Sequence, residues 1–336
     1  MRKNAVDRLV LLAITALGVM LILKQREVSA AIIEAVKSCV YSIIPSLFAM
    51  SVVSTAISKS GVVSWLFRKP RVDGNIITAF IFGNIGGYPI GAKLLAEMVD
   101  DGRLSACEAA LALPFCYGCG PAFSAGIVGA AVFGDARFGI AAMCADFCAN
   151  ATMFLWYIVT HKNRENGVSG KFEGFSTKLM IDSVNSAVSA MTGVCSMIVF
   201  FAALRAVLES VVPRIFEVKI VPSILEISNI SALSVRDGIT LPIASMLLGF
   251  GGLCVVMQVA AIVGGRFSLK MFILSRFVAL PLAGGYAFII SKILDRFGIV
   301  AEAATKIRLS RSSSLIPVIC VAAMVAITLT HRRADG

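Results

Sequence analysis

The sequence predicts an all-α polytopic membrane protein built from two inverted repeats with re-entrant or broken helices. The chain is 58% hydrophobic and 15% charged, and its mean hydropathy of +0.87 exceeds what a single soluble core can bury. Several apolar runs reach the roughly 20 residues that cross a bilayer at about 1.5 Å per residue. Glycine and proline clusters interrupt such runs in both halves of the chain. Paired interruptions of this kind are typical of inverted-repeat transporters.

The net charge and the cysteine pattern argue against several classes of function. The net charge of +11 fits basic cytoplasmic loops and contact with the lipid bilayer, and no basic, aromatic-rich domain indicates nucleic-acid binding. The nine cysteines are scattered and lie mostly inside apolar runs, where we expect them to pack as small hydrophobic residues. Cys116 and Cys119 form a C-x-x-C motif with no second ligand pair, so the sequence predicts no metal site and no cofactor.

The motifs of hydrolytic enzymes are missing from the sequence. It contains no H-E-x-x-H motif, no nucleotide-binding phosphate loop and no serine and histidine constellation of a membrane hydrolase. Asp135 and Asp146 are the candidates for an intramembrane aspartyl protease, but Asp135 lies in a short polar turn. We therefore expect no enzymatic activity. Transport would be passive, ion-coupled or powered by a partner, and self-association or a membrane partner stays open.

The long apolar runs and the polar connectors between them define the domain organisation. Three basic residues up to Arg8, followed by the apolar stretch from Leu9 to Leu23, predict a retained first helix rather than a cleaved signal. Pro45 should kink the second run. Basic residues after that run predict a cytoplasmic N-terminus: Lys59, Arg68, Lys69 and Arg71. The predicted segments are a first transmembrane helix (1–27), a first repeat (28–160), a polar linker (161–178), a second repeat core (179–265), and C-terminal helices with a basic tail (266–336). The last of these C-terminal helices is predicted from Ser314 to Thr330.

Two glycine-rich breaks interrupt the first repeat. Residues 83–93, Gly-Asn-Ile-Gly-Gly-Tyr-Pro-Ile-Gly-Ala-Lys, carry four glycines, a proline and a lysine where a spanning helix should continue. Non-helical backbone survives at membrane depth only when it is packed in protein or lines a wet cavity. The apolar runs beside this break are short, so the pattern predicts a re-entrant hairpin. A second break, residues 116–121, leads into a short apolar helix, and we expect the two breaks to face each other.

The second half carries its own pair of breaks. Leu225-Glu-Ile-Ser-Asn229 forms one, and Gly249-Phe-Gly-Gly252 interrupts a long apolar run. Glu226 and Asn229 supply a polar wall for a solute in one interpretation and cap a re-entrant turn in the other. Gln258 hydrogen-bonds a solute or, alternatively, bridges two helices.

Charged and polar side chains lie inside predicted membrane segments. Asp146 and Asn150 are four residues apart and share one helix face, where they bind a coupling ion or pair with a neighbouring broken helix. Lys93 offers a positive charge to a solute if its side chain turns inward. Otherwise it snorkels to the headgroups or pairs with Glu97. The helix that follows Tyr88-Pro89 points its N-terminal N–H groups at the break, which favours an anion.

Five motifs, taken in order along the chain, resemble those of one family. They are Pro45-Ser-Leu-Phe48, Gly87-Tyr-Pro-Ile-Gly-Ala-Lys93, Phe115-Cys116 with Gly120-Pro121, Leu225-Glu-Ile-Ser-Asn229, and Gly251-Gly-Leu-Cys-Val255 with Gln258. The resemblance is to the YlbJ-type sporulation integral membrane proteins of the Gate, or nucleoside-recognition, family. It runs from about Glu34 to Gln258, and the G-Y-P-x-G-A-K string is its most specific part. The chain departs from the family at Tyr117, Gly118 and Cys119, where two asparagines and a serine are usual.

The resemblance implies a permease of inverted repeats, and the sporulation members of the family are associated with moving dipicolinate across a membrane. The expected function is a multi-pass cell-membrane permease for a small polar, anionic solute held between broken helices. A nucleoside-type carrier, and a non-transporting scaffold or gate that needs a partner in sporulation, are the alternatives. The predicted solute-binding residues are Asn84, Gly87, Tyr88, Pro89, Gly91, Lys93, Cys119, Gly120, Pro121, Glu226, Ser228, Asn229 and Gln258, and the predicted ion-coupling residues are Asp146, Asn150 and Glu226.

Overall fold

The computed structural model describes residues 2–66, 73–161 and 174–297. All regular elements within these ranges are helical. Five helical segments among them are long and apolar enough to cross a membrane: Gln25–Ser60, Ala136–Thr160, Thr177–Val211, Leu241–Val263 and Lys270–Arg296. The predicted all-α membrane fold is therefore confirmed.

The helices of the first half follow one another closely. They are α1 (Arg2–Leu23), α2 (Gln25–Ser38), α3 (Ile44–Ser60), α4 (Val62–Leu66), α5 (Gly74–Ile85), α6 (Ile90–Asp100), α7 (Ala106–Ala112), α8 (Pro121–Phe123) and α9 (Ala136–Thr160). A π-helical turn, Cys39–Ile43, joins α2 to α3, and a π-helical segment, Ser124–Phe133, continues α8. The first of these lies directly before Pro45, where the sequence predicts a kink, and helices bend at both features.

The second half contains two long helices and a set of short ones between them. They are α10 (Thr177–Val211), α11 (Pro213–Phe216), α12 (Val221–Leu225), α13 (Leu241–Phe250), α14 (Gly252–Val263) and α15 (Lys270–Arg296). Two 3₁₀ turns, Ile227–Ala232 and Val235–Asp237, lie between α12 and α13.

Large apolar side chains cover the outer faces of the long helices. Trp156 on α9 is 72% exposed, and Leu274 and Phe277 on α15 are 61% and 73% exposed. Contiguous apolar surface of this kind is rare on a soluble monomer and fits contact with lipid. The chain is therefore an integral membrane protein.

Helices α5 and α6 form a re-entrant hairpin, as the sequence predicts. α5 begins beside α4, where Ser64 Oγ donates to Asn75 Oδ1 at 2.9 Å. α6 ends beside α3, because Arg103 Nη1 donates to the carbonyl oxygen of Ser58 at 2.9 Å. Both ends of the hairpin thus lie near the C-terminal end of α3. Its tip, residues 86–89, is buried inside the protein.

The second break packs into this hairpin at glycine positions. A Cβ on Gly83 would lie 2.5 Å from the carbonyl oxygen of Cys116, and one on Gly91 would lie 1.8 Å from the same oxygen. At the tip, a Cβ on Gly87 would lie 2.9 Å from the backbone nitrogen of Gly120. The two breaks therefore face each other, as predicted, and their contact is made by backbone atoms.

The breaks of the second half also lie where the sequence predicts them. α12 ends at Leu225 and is followed by a 3₁₀ turn, and Gly251 separates α13 from α14 with a φ of 78°.

The repeat relation of the two halves and the predicted domain limits stay predictions. Some predicted features lie outside the described residues: Arg68, Lys69 and Arg71, most of the polar linker, and the helix from Ser314 to Thr330 with the basic tail.

Replacing Gly91 by alanine tests the packing of the two breaks. The added methyl group would overlap the Cys116 carbonyl oxygen, so we expect the free energy of unfolding to fall by roughly 1–3 kcal/mol or more. Thermal unfolding of the purified protein in detergent, followed by tryptophan fluorescence, measures the loss. Gly285→Ala, at a helical glycine with open space around it, is the control. Equal midpoints for the two variants would contradict the packing.

Candidate functional site

Two buried asparagines hold the backbone of the second break. Asn84 Nδ2 donates to the carbonyl oxygen of Phe115 at 2.9 Å, and Asn150 Nδ2 donates to that of Tyr117 at 2.7 Å. Asn150 Nδ2 also donates to Asn84 Oδ1 at 2.8 Å, so the two amides form one network. Backbone carbonyl groups without partners are costly in lipid. The network therefore stabilises non-helical backbone inside the membrane protein.

Asp146 contacts the same break from α9. Its Oδ2 accepts a hydrogen bond from the N–H of Cys119 at 3.1 Å, and both residues are buried. Asp146 and Asn150 share one face of α9, as predicted, and both bind the neighbouring broken helix. This contact is the second of the two roles open from the sequence, and ion coupling stays a prediction.

Arg276 of α15 joins the breaks of the two halves. Its Nη2 donates to the carbonyl oxygen of Pro114, just before the second break, and its Nη1 donates to that of Gly249 at 2.9 Å. The guanidinium carbon lies 4.6 Å from the centroid of the Tyr117 ring, a cation–π distance. The Tyr117 hydroxyl donates to the Phe250 carbonyl oxygen at 3.2 Å. Arg276, with 2% of its surface exposed, thus holds α13 and the segment that follows α7 together.

Glu226 caps the first break of the second half. Its carboxylate accepts from the N–H of Ser228 at 3.0 Å and from the hydroxyl of the same residue. Asn229 Nδ2 donates to the Glu226 carbonyl oxygen at 2.9 Å. Gly252 lets α14 approach this turn, because a Cβ there would lie 3.1 Å from the backbone nitrogen of Ile227. The capping role predicted as one alternative for Glu226 and Asn229 is therefore present in the fold.

A small cavity, here called the central cavity, lies where three of the breaks meet. Its volume of about 40 Å³ leaves room for a few water molecules and is too small for an organic solute. Tyr88 lines this cavity, and its hydroxyl is buried without a hydrogen-bond partner among the described residues. The predicted site residues that line the cavity are Gly87, Tyr88, Gly120, Glu226, Ser228 and Gln258.

A wider, open cleft adjoins the central cavity and is here called the outer cleft. Its volume is about 520 Å³, within the range of solute-binding pockets. Val194 of α10 and Gln258 of α14 line both cavities and lie between them. The polar and charged side chains of the outer cleft are Lys93, Glu97, Asp100, Ser186, Ser189, Ser196, Gln258 and Arg266.

Lys93 turns inward, toward α3, which is one of the predicted alternatives. It is 6% exposed, and its Nζ donates to Thr55 Oγ1 at 2.7 Å and to Ser51 Oγ at 3.2 Å. Glu97 Oε1 lies 3.9 Å from Nζ, so the predicted pair one helical turn apart is present as a long ion pair. Glu97 also accepts a hydrogen bond from the Ser186 hydroxyl.

The structure brings some of the predicted site residues together and separates others. Six line the central cavity and Lys93 lines the outer cleft. The others line neither of these cavities, and they are Asn84, Pro89, Gly91, Cys119, Pro121 and Asn229. Gly91 faces the Cys116 carbonyl oxygen, so its position serves the packing of the breaks. Solute contact stays a prediction for all of them.

Sequence reasoning missed four residues that shape the site. Arg276 had a visible signal, since it is a charge seven residues into an apolar helix. Ser51 and Thr55 also had one, since hydroxyl residues four apart share a helix face. Tyr117 was noted only as a departure from the family, and its contact with Phe250 joins segments far apart in the sequence.

Comparison with known proteins gives one distant relative. The chain is similar to the sporulation integral membrane protein YlbJ of Bacillus subtilis (strain 168), with 24% identity over 307 residues. The match covers 75% of this chain and 74% of the relative. This chain matches no family model and no solved structure. The chain is an integral membrane protein related to YlbJ.

Replacing Arg276 by methionine tests the connection between the breaks. The change leaves the buried carbonyl groups of Pro114 and Gly249 without their donors, so we expect the free energy of unfolding to fall by roughly 3 kcal/mol or more. Thermal unfolding in detergent measures this loss. Lys292→Met, at a more accessible position of the same helix, is the matched control. A loss no greater than that of the control would contradict the proposed connection.

Proposed function

We propose that the chain is a multi-pass cell-membrane permease for a small polar, anionic solute that passes between its broken helices. One observation carries the proposal. Residues from three helix breaks and from α14 surround one small cavity, and that cavity adjoins an open cleft of solute size. Membrane transporters commonly build their solute sites from discontinuous helices in this way.

The contrast between the two cavities supports transport rather than a scaffold role. The outer cleft has room for an organic solute, whereas the central cavity holds only a few water molecules. A solute would therefore enter the centre only after a conformational change. The unpartnered Tyr88 hydroxyl and the Gln258 amide are groups that such a solute would hydrogen-bond.

An anionic, dipicolinate-like solute is suggested by the family resemblance and by Lys93. A buried lysine is costly in a membrane protein and is more often functional than incidental. Its position in the outer cleft places a positive charge on the route to the central cavity. The relationship to YlbJ supports a role in sporulation.

A nucleoside-type solute is the second candidate, and the wall of the central cavity favours it. None of the described residues that line this cavity is cationic. Glu226, Ser228, Gln258 and the Tyr88 hydroxyl offer hydrogen bonds that suit a neutral solute. A scaffold or gate that needs a sporulation partner is the remaining alternative.

Uptake into proteoliposomes tests the proposal. We expect selective uptake of labelled dipicolinate over uridine and over a control dicarboxylate. Lys93→Ala should reduce it about tenfold or more because it removes the positive charge beside the route. Glu226→Gln should reduce it similarly because it removes the carboxylate predicted to take up the coupling ion. Lys37→Ala and Glu34→Gln are matched controls, since these residues form an exposed ion pair away from both cavities.

Three outcomes separate the alternatives. Uptake of uridine alone would favour the nucleoside-type carrier. Absence of uptake of all three solutes by folded protein, under several ion gradients, would contradict a permease and favour the scaffold. Equal uptake by the site variants and their controls would contradict the assigned residues.

Asp146→Asn and Asp146→Ala separate the structural role of Asp146 from ion coupling. Asparagine keeps an oxygen that accepts from the Cys119 N–H, whereas alanine leaves that group unpaired. We expect Asp146→Asn to unfold near the wild-type temperature and to retain uptake. Asp146→Ala should lose about 1–3 kcal/mol of stability. Lost uptake in a stable Asp146→Asn variant would contradict the purely structural role and assign coupling to this carboxylate.

A further inference from the structure

The ammonium group of Lys93 has one unused hydrogen-bond donor. An ammonium group carries three N–H donors. Two of them are directed to Thr55 Oγ1 and Ser51 Oγ on α3. Glu97 Oε1, at 3.9 Å, balances the charge but lies beyond hydrogen-bond distance. Within the described residues the third donor therefore has no acceptor.

Glu97 has a partner of its own. Its Oε1 accepts from the Ser186 hydroxyl on α10, and its Oε2 has no partner among the described residues. The carboxylate can therefore move from Lys93 and keep a hydrogen bond. Another carboxylate of the same charge fits the position beside Lys93 at least as well, because it can come within hydrogen-bond distance.

Arg266, the other cation named in the outer cleft, is engaged elsewhere. Its Nε donates to both carboxylate oxygens of Asp100, at 2.7 and 2.9 Å. Its Nη1 donates to the carbonyl oxygens of Ile262 and Val263 at 3.1 and 3.2 Å. Its Nη2 donors have no partner among the described residues, but its charge is paired with Asp100 at hydrogen-bond distance, whereas the carboxylate of Glu97 lies 3.9 Å from Lys93 Nζ. Lys93 is therefore the cation of the outer cleft whose charge is less closely paired.

We propose that the outer cleft is a second binding site, distinct from the central cavity, in which a solute carboxylate binds the free donor of Lys93 and displaces Glu97. The inference rests on the proposed function, because it takes the solute to be a carboxylate. Ser189 lines the same cleft, and its hydroxyl hydrogen-bonds the rest of the solute. Val194 and Gln258 then separate this site from the central cavity.

The proposed site predicts that substitutions of Lys93 and Glu97 change dipicolinate binding in opposite directions. The probe is labelled dipicolinate, and its equilibrium binding is measured with purified full-length protein in lipid nanodiscs. We expect Lys93→Gln to weaken binding about tenfold or more and Glu97→Gln to strengthen it several-fold, since the first removes the donor and the second removes the competing charge. Lys37→Gln and Glu34→Gln should leave binding unchanged. Uridine competition should respond to neither site variant.

A cysteine in the cleft gives a second readout. Gly193 lines the outer cleft and has open space for a side chain, so Gly193→Cys should react with a charged, water-soluble thiol reagent. Dipicolinate should slow that reaction. The native Cys107, which is exposed and lies outside the cleft, should show no protection by dipicolinate.

The results distinguish the second site from the permease proposal. Equal weakening by Lys93→Gln and Glu97→Gln would indicate a structural pair and overturn the site, as would unprotected Gly193→Cys or no binding of dipicolinate by folded protein. Binding with the expected opposite effects, but without uptake in proteoliposomes, would support the site and contradict only the permease.

Discussion

The structure depends on one constraint, namely that backbone groups freed by a helix break must find partners away from water. A broken helix leaves N–H and C=O groups that lipid cannot satisfy. Around the second break, Asn84, Asn150 and Asp146 supply those partners from two other helices. The break is therefore held by the tertiary structure and depends on the correct packing of α5 and α9.

The same constraint ties the two halves together. Arg276 donates to a carbonyl oxygen before the second break and to another at the end of α13. Guanidinium suits this role because its donors form a rigid fork and its planar face stacks on the Tyr117 ring. Any movement of one broken helix relative to the other must break this connection or carry α15 along. Polar groups that are not used in holding the broken helices together are the groups available to bind a solute.

The positions of the helix breaks could be predicted from the sequence, because glycine and proline clusters inside apolar runs disfavour continuous helix. The re-entrant hairpin was predictable from run length, since the apolar runs beside Gly87 are too short to span. The contacts of those clusters were not predictable. Gly91 was a candidate solute contact, but it lies against the Cys116 carbonyl oxygen, which comes from a segment that no local pattern places there.

The roles of the polar residues were only partly predictable. Asp146 and Asn150 were placed correctly on one helix face. For Glu226, the sequence left capping and solute binding open because both use the same carboxylate oxygens, and the structure combines a cap with a place on the cavity wall. Arg276 was visible as a charge inside an apolar helix, but its role could not be predicted, because its partners are backbone carbonyls, which every residue carries.

Hydrogen–deuterium exchange of residues 115–120 in lipid nanodiscs tests the central claim most directly. Because Gly118 donates to the Gly83 carbonyl oxygen and Cys119 donates to Asp146, we expect this non-helical segment to exchange as slowly as the adjoining helices. Asp146→Ala should speed exchange at Cys119. Fast exchange of the segment in the folded wild-type protein would show that water satisfies this backbone, which would contradict the account.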